Sequence, residues 1–312
     1  MSILVHKPGI LASLQDKGRW GYQHVGIPVG GAMDLTSMQL ANTICGNDPD
    51  TAVLEFTLQG AMVEFEQAIS FAICGGGASL TLDNVKIDFG QRITAPAGSI
   101  LKWHPHPYGC RTYMAVENGF SSMAELGSCS TYPLAQLGGI NGNYLQAGDR
   151  IPFHKNSRKE NLLESNKKNT APDVKAATVT VTFSNAALTT NHVAIKCYPG
   201  PEWDWFSGEA QERFTNETWK VGLNANRMGY SLNGPELKKN CTQELISTAV
   251  TKGIVQVTPA GMPLVLMADA QTIGGYPRIA RIAESDLAIL AQCRPGYQLN
   301  FQLQPTLHAT HH

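Results

Sequence analysis

The chain has 312 residues, with 24 basic and 25 acidic side chains that give a net charge of −1. This length exceeds what most single hydrophobic cores need and suits two domains. The balanced charge argues against a nucleic-acid binder and against a polybasic membrane protein. No apolar run reaches membrane-spanning length. The 30 glycines and 17 prolines fit a chain rich in strands and turns.

The seven cysteines are scattered and contain no CxxC pair. An odd, unpaired set of this kind is typical of a reducing compartment with buried thiols. The first residues also lack the apolar core and cleavage pattern of a signal peptide. We therefore expect a cytoplasmic protein, and no local signature marks a cysteine as a nucleophile.

A Gly-rich loop that contains Asp16 and Arg19 dominates residues 1–34. It has neither the strand–GxGxxG–helix frame of a dinucleotide site nor the GxxxxGK[ST] of a P-loop. Asp16 and Arg19 are secondary site candidates, with a structural ion pair that holds the loop as the alternative. Asp34 is a third candidate, although we favour it as the N-cap of a helix over Leu35–Cys45.

Short apolar or alternating runs follow, separated by turn residues, and predict a β-sandwich or barrel. The runs in the first half are Ala52–Leu58, Met62–Phe65, Ile69–Cys74, Leu80–Leu82, Val85–Phe89, Ile100–Trp103 and Thr112–Val116, with one last strand after Arg150. His104 and His106 have no third ligand at a recognisable spacing, so we predict no metal site.

A polar stretch over residues 155–176 is the best linker candidate. We predict a first domain over 1–154, a second over 177–305 and a frayed tail over 306–312. The second half contains strands at Thr178–Phe183, His192–Cys197, Tyr230–Leu232, Leu245–Ile246, Ile254–Val257, Leu264–Met267 and Tyr297–Leu303, and helices at Trp203–Phe214 and Glu284–Gln292.

The stretch Leu264–Ala280 places many polar groups after one apolar strand. Asp269 is suited to act as an acid, a base or an anchor for an N–H group, and Arg278 to bind a carboxylate. The alternative is a hairpin turn, because turns favour Gly, Pro and Asp in any case. An internal repeat is a further hypothesis: Arg19–Tyr22 and Arg227–Tyr230 share the pattern R-x-G-Y, and Phe71–Gly75 corresponds to Val265–Asp269.

Several long motifs occur in order and cover most of residues 9–300. They are LQDKGRWGYQHVGIPVGGAMD, GND, AVLEFTLQG, PGPE, NRMGY and GIVQVTPAGMPLVLMADAQTIGGYPRIA. In these motifs the chain resembles the allophanate hydrolase subunit 2 family, also called biotin-dependent carboxyltransferase-like, and within it the branch that opens 5-oxoproline. The resemblance implies a mainly β fold of two cyclophilin-like β-barrel domains with a few short helices.

The resemblance also implies a hydrolase subunit that converts 5-oxoproline and ATP to glutamate with subunits A and B, where B resembles allophanate hydrolase subunit 1. We expect the chain to be inactive alone, with ATP held on a partner subunit as one option. Two alternatives remain: a regulatory protein that antagonises a kinase-inhibitor-like partner, and a carboxyltransferase subunit for a urea-like or amide substrate. No lysine lies in a Met-Lys-Met setting, so biotin is possible as a visiting cofactor but not favoured.

A site for ATP-dependent lactam opening needs cations, hydrogen-bond donors and a carboxylate. We assign catalytic roles to Asp269, Arg227 and Arg278. The predicted substrate-binding residues are Asn226, Tyr230, Gln256, Gln271, Gly274, Gly275 and Tyr276.

Overall fold

A computed structural model of the chain describes residues 1–154 and 186–305. These residues form two compact units. The first consists of residues 1–19 and 34–154, and the second consists of residues 20–33 together with 186–305. The mainly β fold predicted from the sequence is confirmed.

The units are not two uninterrupted halves of the sequence. Residues 20–33 pack with the second unit, although first-unit sequence flanks them on both sides. We predicted a single boundary in a linker at 155–176. That linker, the predicted strand at 178–183 and the predicted tail at 306–312 lie outside the described residues.

The described part of the first unit contains eleven strands in two sheets. The strands are β1 (Ser2–Pro8), β2 (Leu11–Gln15), β3 (Val53–Thr57), β4 (Ala61–Phe65), β5 (Ile69–Gly75), β6 (Ala78–Leu82), β7 (Val85–Ile87), β8 (Arg92–Ala95), β9 (Ile100–Pro105), β10 (Arg111–Val116) and β11 (Arg150–Pro152). One sheet has the order β11-β1-β4-β9-β6-β7 and the other β2-β3-β10-β5-β8. The pairings between neighbouring strands are antiparallel, which suits the short turns that join them.

Side-chain alternation explains how the first sheet forms a core. In β4, Ala61, Val63 and Phe65 are buried, while the two residues between them are partly exposed. Because successive side chains of a strand point to opposite faces, this pattern places one face of the sheet in the core. Phe65 stacks on Phe71 of β5 with ring centroids 4.9 Å apart.

Helix α1 (Leu35–Cys45) begins at Asp34, as predicted. The two carboxylate oxygens of Asp34 accept hydrogen bonds from the backbone nitrogen of Ser37 at 2.9 Å and from its hydroxyl at 2.6 Å. The helix ends at Gly46, whose φ of 79° is the left-handed conformation that glycine adopts readily. The capping role of Asp34 in the fold is therefore confirmed.

The second unit contains a closed seven-stranded barrel of order β12-β19-β16-β17-β14-β13-β20. Its strands are β12 (His192–Pro199), β13 (Trp219–Val221), β14 (Gly229–Asn233), β16 (Ile254–Val257), β17 (Pro263–Leu266), β19 (Arg278–Ile282) and β20 (Gln298–Leu303). The parallel pairing of β12 with β20 closes the barrel. A separate ribbon pairs β15 (Thr248–Ala249) with β18 (Ile273–Gly274).

Aromatic side chains fill one part of the barrel core. Phe214 and Phe301 stack with ring centroids 4.4 Å apart and an interplanar angle of 10°. The indole nitrogen of Trp219, which is fully buried, donates to the Phe214 carbonyl at 3.1 Å. Met33 is also fully buried in this core, so the segment 20–33 contributes a side chain to it.

The described residues include two further α-helices and several 3-10 turns. The helices are α2 (Gly208–Asn216) and α3 (Glu284–Ala291), and the 3-10 turns are Gln23–Val25, Pro133–Ala135, Ala186–Leu188 and Trp203–Trp205. No helix in the described residues has the length and apolar character of a membrane span.

Three local predictions differ from the structure. The single helix predicted over Trp203–Phe214 is interrupted, because Phe206 is extended and the Ser207 side chain caps a new helix by accepting from the Ala210 nitrogen. Residues 245 and 246 are not in a strand, and pairing starts only at Thr248. Strands β1, β2, β8, β13, β18 and β19 were not predicted.

The R-x-G-Y part of the proposed repeat does not correspond to a shared local structure. Gly21 lies in a turn after β2 and Tyr22 precedes a 3-10 turn, whereas Gly229 and Tyr230 open strand β14. The same R-x-G-Y letters therefore serve two different backbone conformations.

Replacement of Asp34 by alanine tests the cap. We expect the Asp34→Ala variant to lose about 1–2 kcal/mol of unfolding free energy, because the Ser37 nitrogen and hydroxyl lose their acceptor. Urea unfolding followed by circular dichroism measures the change. Thr43→Ala, at an exposed position of the same helix, is the control and changes stability by less than about 0.5 kcal/mol. Equal urea midpoints for Asp34→Ala and the unmodified chain contradict this role.

Candidate functional site

A buried ion pair joins two of the residues predicted to be catalytic. Arg227 Nε lies 2.7 Å from Asp269 Oδ2, and Arg227 Nη2 lies 2.9 Å from Asp269 Oδ1. Arg227 is 3% exposed and Asp269 is 5% exposed. Two parallel N–H···O bonds of this kind are the strongest geometry for an arginine and a carboxylate.

The antiparallel pairing of strands β14 and β17 brings Arg227 and Asp269 together. Strands β14 and β17 run antiparallel, with Gly229 opposite Leu266. The backbone nitrogen of Asp269 then donates to the Arg227 carbonyl at 2.8 Å, which extends the pairing beyond both strands. The end of one strand and the start of the next therefore bring residues 42 positions apart into contact.

The segment 20–33 lies directly against this pair. The Gly30 nitrogen donates to the Ala268 carbonyl at 3.0 Å, and Arg227 Nη2 donates to the Gly31 carbonyl at 2.7 Å. Gly30 has a φ of 64°, and a Cβ there would sit 3.5 Å from Asp269 Oδ1. The distance is an ordinary van der Waals contact, so it is the left-handed backbone that favours glycine at this position.

The side chain of Lys252 binds the last two residues of the segment 20–33. Lys252 Nζ donates to the Met33 carbonyl at 2.8 Å and to the Ala32 carbonyl at 3.3 Å. Arg227 and Lys252 therefore bind three successive carbonyl oxygens, those of residues 31–33. In this arrangement Asp269 and Arg227 anchor the segment to the barrel.

Arg278, the third predicted catalytic residue, forms a different ion pair. Its Nε and Nη2 atoms each lie 2.7 Å from an oxygen of Glu202, and its backbone nitrogen donates to Glu202 Oε2 at 3.0 Å. The Arg278 side chain is 17% exposed and that of Glu202 is 7% exposed. Of the three predicted catalytic residues, Arg278 is the most accessible.

Glu202 and Arg278 stabilise each other's charged forms. Burial acts to raise the pKa of the Glu202 carboxyl, but the hydrogen bonds and charge of Arg278 outweigh it and hold that pKa below the ordinary value. The hydrogen bond to Glu202 raises the pKa of Arg278. The pair is therefore ionised at neutral pH.

Gln256 lies on the barrel strand next to Arg278. Gln256 and Arg278 are direct partners in the β16–β19 ladder. The Gln256 side chain is fully buried, and its amide nitrogen donates to the Tyr276 carbonyl at 3.1 Å. Its Oε1 atom is buried and accepts no hydrogen bond from the described residues. A buried acceptor without a donor is costly and rare, so it marks a place where a donor is expected.

Gly274 covers Gln256. A Cβ at Gly274 would lie 2.6 Å from the Gln256 amide nitrogen, so a side chain at position 274 would force the Gln256 amide to move. Gly274 belongs to the β15–β18 ribbon, and the neighbouring Gly275 and Tyr276 are exposed. Glycine at position 274 therefore permits the ribbon to lie on the amide.

The remaining predicted substrate-binding residues have separate surroundings. Tyr230 is 1% exposed and packs in the barrel core. Asn226 is exposed, and its side-chain oxygen accepts from the Met228 nitrogen at 2.8 Å, which stabilises its own turn. Gln271 is exposed.

The secondary candidates Asp16 and Arg19 hold one loop of the first unit. Asp16 Oδ1 accepts from the Ser128 and Ser130 hydroxyls at 2.7 and 2.6 Å. Arg19 donates to the carbonyls of Glu125 and Ser130, both at 3.0 Å. Both side chains thus organise the loop over residues 125–130.

Three of the cysteine thiols are buried and protonated. Burial raises the pKa of the Cys45, Cys74 and Cys197 thiols to about 12, so these three are protonated at neutral pH. Within residues 1–154 and 186–305, no cluster of three or more His, Cys, Asp or Glu side chains is placed to bind a metal ion.

Three sets of groups that contact the predicted catalytic residues or the segment 20–33 were not predicted from the sequence. Glu202 lies in the PGPE motif but received no role, because its partner Arg278 is 76 positions away. Lys252 stands in no recognisable pattern. The carbonyl groups of residues 31–33 act through the backbone, which side-chain patterns do not report.

Comparison with known proteins identifies relatives over nearly the whole chain. A family model described as carboxyltransferase domain, subdomain A and B, matches residues 25–303. Among the similar proteins are the C subunits of two bacterial 5-oxoprolinases. That of Escherichia coli is 36% identical over 295 residues, which cover 95% of this chain and 89% of that protein. That of Haemophilus influenzae is 34% identical, with coverage of 93% and 87%.

A solved structure is similar as well. The crystal structure of the K. lactis urea amidolyase superposes with a TM-score of 0.85 and 31% sequence identity. The match covers 97% of this chain but only 19% of the urea amidolyase chain. The chain thus corresponds to one part of that protein and to most of the length of the two 5-oxoprolinase subunits.

The Arg227–Asp269 pair is testable by its effect on stability. We expect Asp269→Ala to cost about 3–5 kcal/mol in the unfolding of the second unit, because it leaves a buried, uncompensated guanidinium. Urea unfolding measures the loss. The double variant Arg227→Met with Asp269→Leu recovers most of it, since no buried charge remains.

The matched control for that ion pair lies on the surface of helix α2. Glu209 pairs there with Arg213, and the two side chains are 70% and 36% exposed. We expect Glu209→Ala to leave the urea midpoint unchanged. An Asp269→Ala variant as stable as Glu209→Ala contradicts the anchoring role.

The Glu202–Arg278 pair predicts a pH dependence. Because the pKa of Glu202 lies below its ordinary value of 4.5, the pair stabilises the fold above that pH and this contribution is lost as the pH falls below it. We expect the Tm of Glu202→Gln to be lower than that of the unmodified chain at neutral pH and to fall less on acidification. Thermal unfolding from about pH 6 to about pH 3 measures this, with the exposed Glu244→Gln as control. Parallel curves for Glu202→Gln and the unmodified chain contradict it.

Proposed function

Because this chain belongs to the carboxyltransferase-domain family of subdomains A and B, we propose that it is the C component of an ATP-dependent 5-oxoprolinase. This enzyme converts 5-oxoproline to glutamate, and the chain acts in it together with subunits A and B. The observation that carries the proposal is the match to two 5-oxoprolinase C subunits over at least 93% of this chain and 87% of theirs.

The chemistry of lactam opening explains why the reaction consumes ATP. A lactam resists water because amide resonance lowers the electrophilicity of its carbonyl carbon. Transfer of the terminal phosphoryl group of ATP to the lactam oxygen removes that protection and releases ADP. Water then adds to the carbon, the C–N bond breaks, and loss of phosphate leaves glutamate. We place the ATP on a partner subunit.

We assign the substrate carboxylate to Arg278. A planar guanidinium binds a carboxylate through two N–H···O bonds, and Arg278 already holds the carboxylate of Glu202 in this way. Its side chain is 17% exposed, compared with 3% for Arg227, so a ligand reaches it with the smaller rearrangement. In this proposal the substrate carboxylate takes the place of Glu202.

We assign the lactam N–H to Gln256. The buried Oε1 of Gln256 accepts no hydrogen bond from the described residues, and Gln256 pairs with Arg278 across the β16–β19 ladder. A ring N–H that enters when the β15–β18 ribbon lifts supplies the missing donor. Gly274 and Gly275 offer backbone donors in the same ribbon. Asp269 and Arg227 then act as positioning residues, because each is neutralised by the other.

The similarity to the K. lactis urea amidolyase favours one second candidate, a carboxyltransferase that acts on a urea-like or amide substrate. That activity requires a carboxyl carrier such as biotin, supplied by another protein. The two proposals make opposite predictions for free biotin. A ligand that binds the folded chain raises its Tm, so a biotin-dependent Tm shift supports carboxyl transfer and its absence supports the lactam enzyme.

The decisive assay measures glutamate. Purified chain is mixed with subunits A and B, 5-oxoproline and ATP, and the glutamate released is quantified against mixtures that lack one component. We expect release only with all three proteins present. No glutamate from the complete mixture overturns the proposal.

Single replacements test the two substrate contacts. We expect Arg278→Ala to raise the KM for 5-oxoproline by about 10- to 100-fold, the loss of one charge-assisted contact. Gln256→Leu, which removes the acceptor at similar volume, lowers kcat/KM while the complex with the other subunits still forms. Arg281→Ala, at an exposed position on the same strand as Arg278, is the matched control. Equal KM values for Arg278→Ala and Arg281→Ala contradict the assignment.

A further inference from the structure

A thin layer of backbone covers the Gln256 amide on the outside of the barrel. The residues on either side of Gln256 in β16 belong to the barrel core, so its own side chain points outward. Leu264 of β17 and Arg278 of β19 are its ladder partners. Gln256 is nevertheless fully buried, although Gly274, which lies against its amide, is partly exposed. The burial of this amide therefore depends on the β15–β18 ribbon.

The ribbon is weakly attached to the barrel. In the part of the chain that the structure describes, its two strands form a sheet of their own, and each strand has two residues. No residue of the two segments 241–249 and 273–276 is buried. Ile246 and Ile273 are 88% and 60% exposed. Because two-stranded ribbons are marginally stable by themselves, local opening here requires less free energy than unfolding of the barrel.

The second of these segments has fixed ends. On one side, the Val250 nitrogen donates to the Thr272 carbonyl at 3.0 Å, and Val250 packs with Leu266 in a small apolar cluster. On the other side, the Val257 nitrogen donates to the Pro277 carbonyl at 2.9 Å. Motion is therefore confined to the four residues between these points, two of which are glycines with a permissive backbone.

The closed position of the ribbon leaves one hydrogen bond of Gln256 unmade. The amide nitrogen donates to the Tyr276 carbonyl at 3.1 Å, which holds the ribbon down. The buried Oε1 atom accepts no hydrogen bond from the described residues. Water supplies that donor once the ribbon lifts. Burial of an unpaired acceptor costs more than one hydrogen bond contributes on balance, so Gln256 as a whole favours the open position.

We propose that the β15–β18 ribbon is a lid over Gln256, and that the unmade hydrogen bond of Gln256 Oε1 lowers the free energy of its opening. The proposal deepens the proposed function and rests on it for the ligand, since the open lid admits the lactam N–H to Oε1. The opening itself belongs to the chain alone, and its test uses neither partner subunits nor substrate. The glutamate assay and the lid test can therefore fail independently.

Replacement of Gln256 by methionine tests the role of the unpaired oxygen. Gln256→Met keeps the length of the side chain and removes the acceptor. We expect amide hydrogen exchange of residues 248–250 and 273–276 to slow by about fivefold or more, because the closed lid no longer buries an unpaired oxygen. Mass spectrometry of the chain without substrate measures the exchange, and unchanged exchange over β17 shows that the barrel is intact. Equal or faster exchange of the ribbon overturns the proposal.

Replacement of Gly274 by alanine tests the lid from the other side. The backbone of Gly274 is outside the left-handed region, but a Cβ there would lie 2.6 Å from the Gln256 amide nitrogen. We expect Gly274→Ala to prevent full closure and to speed exchange of the ribbon by about fivefold or more. The double variant Gly274→Ala with Gln256→Ala makes room for the new side chain and restores slow exchange.

The matched control for Gly274→Ala is Gly208→Ala at the start of helix α2. A Cβ at Gly208 would meet no atom within 4 Å, and its backbone is also outside the left-handed region. We expect this variant to leave exchange of the ribbon unchanged. Equal exchange of the ribbon in Gly274→Ala and Gly208→Ala, or fast exchange that persists in the double variant, overturns the proposal.

Discussion

The buried, oppositely charged side chains of Arg227 and Asp269 hold several parts of the second unit together. Each charge is costly to remove from water, and the opposite charge of its partner compensates for that cost. The pair requires the start of β14 and the end of β17 to stay in register. It also fixes Gly31, because Arg227 donates to that carbonyl. One electrostatic requirement thereby orders two strands and a segment from the first tenth of the sequence.

The pairing of Arg227 with Asp269 distinguishes these two residues from Arg278, the third predicted catalytic residue. Residue types alone make Asp269, Arg227 and Arg278 equivalent catalytic candidates. Burial and pairing separate them, because Arg227 and Asp269 neutralise each other, whereas Arg278 sits at a more exposed pair with Glu202. The shared β16–β19 ladder places the buried Gln256 amide beside Arg278. Our proposal therefore assigns substrate binding to β16, β19 and the ribbon that covers Gln256.

The sequence predicted elements whose signals are local. Helix α1 was predicted from Asp34 to Gly46 because a cap, an apolar period and a terminal glycine lie within a short window. Contacts between distant residues could not be predicted in this way, such as Glu202 with Arg278 or Asp16 with Ser130. The face of Gln256 was also undetermined, since alternation gives two faces but does not say that a ribbon covers the outer one.

The assignment of residues 20–33 to the second unit limits how the coding sequence can be divided between the two units. Met33 fills part of the barrel core, and the carbonyls of residues 31–33 are bound by Arg227 and Lys252. The coding sequence therefore cannot be divided at one point into two exons or two genes that each encode a complete unit. A fragment that begins after the first unit lacks the peptide that its barrel requires. Recombination within this family is thus expected to move both units together.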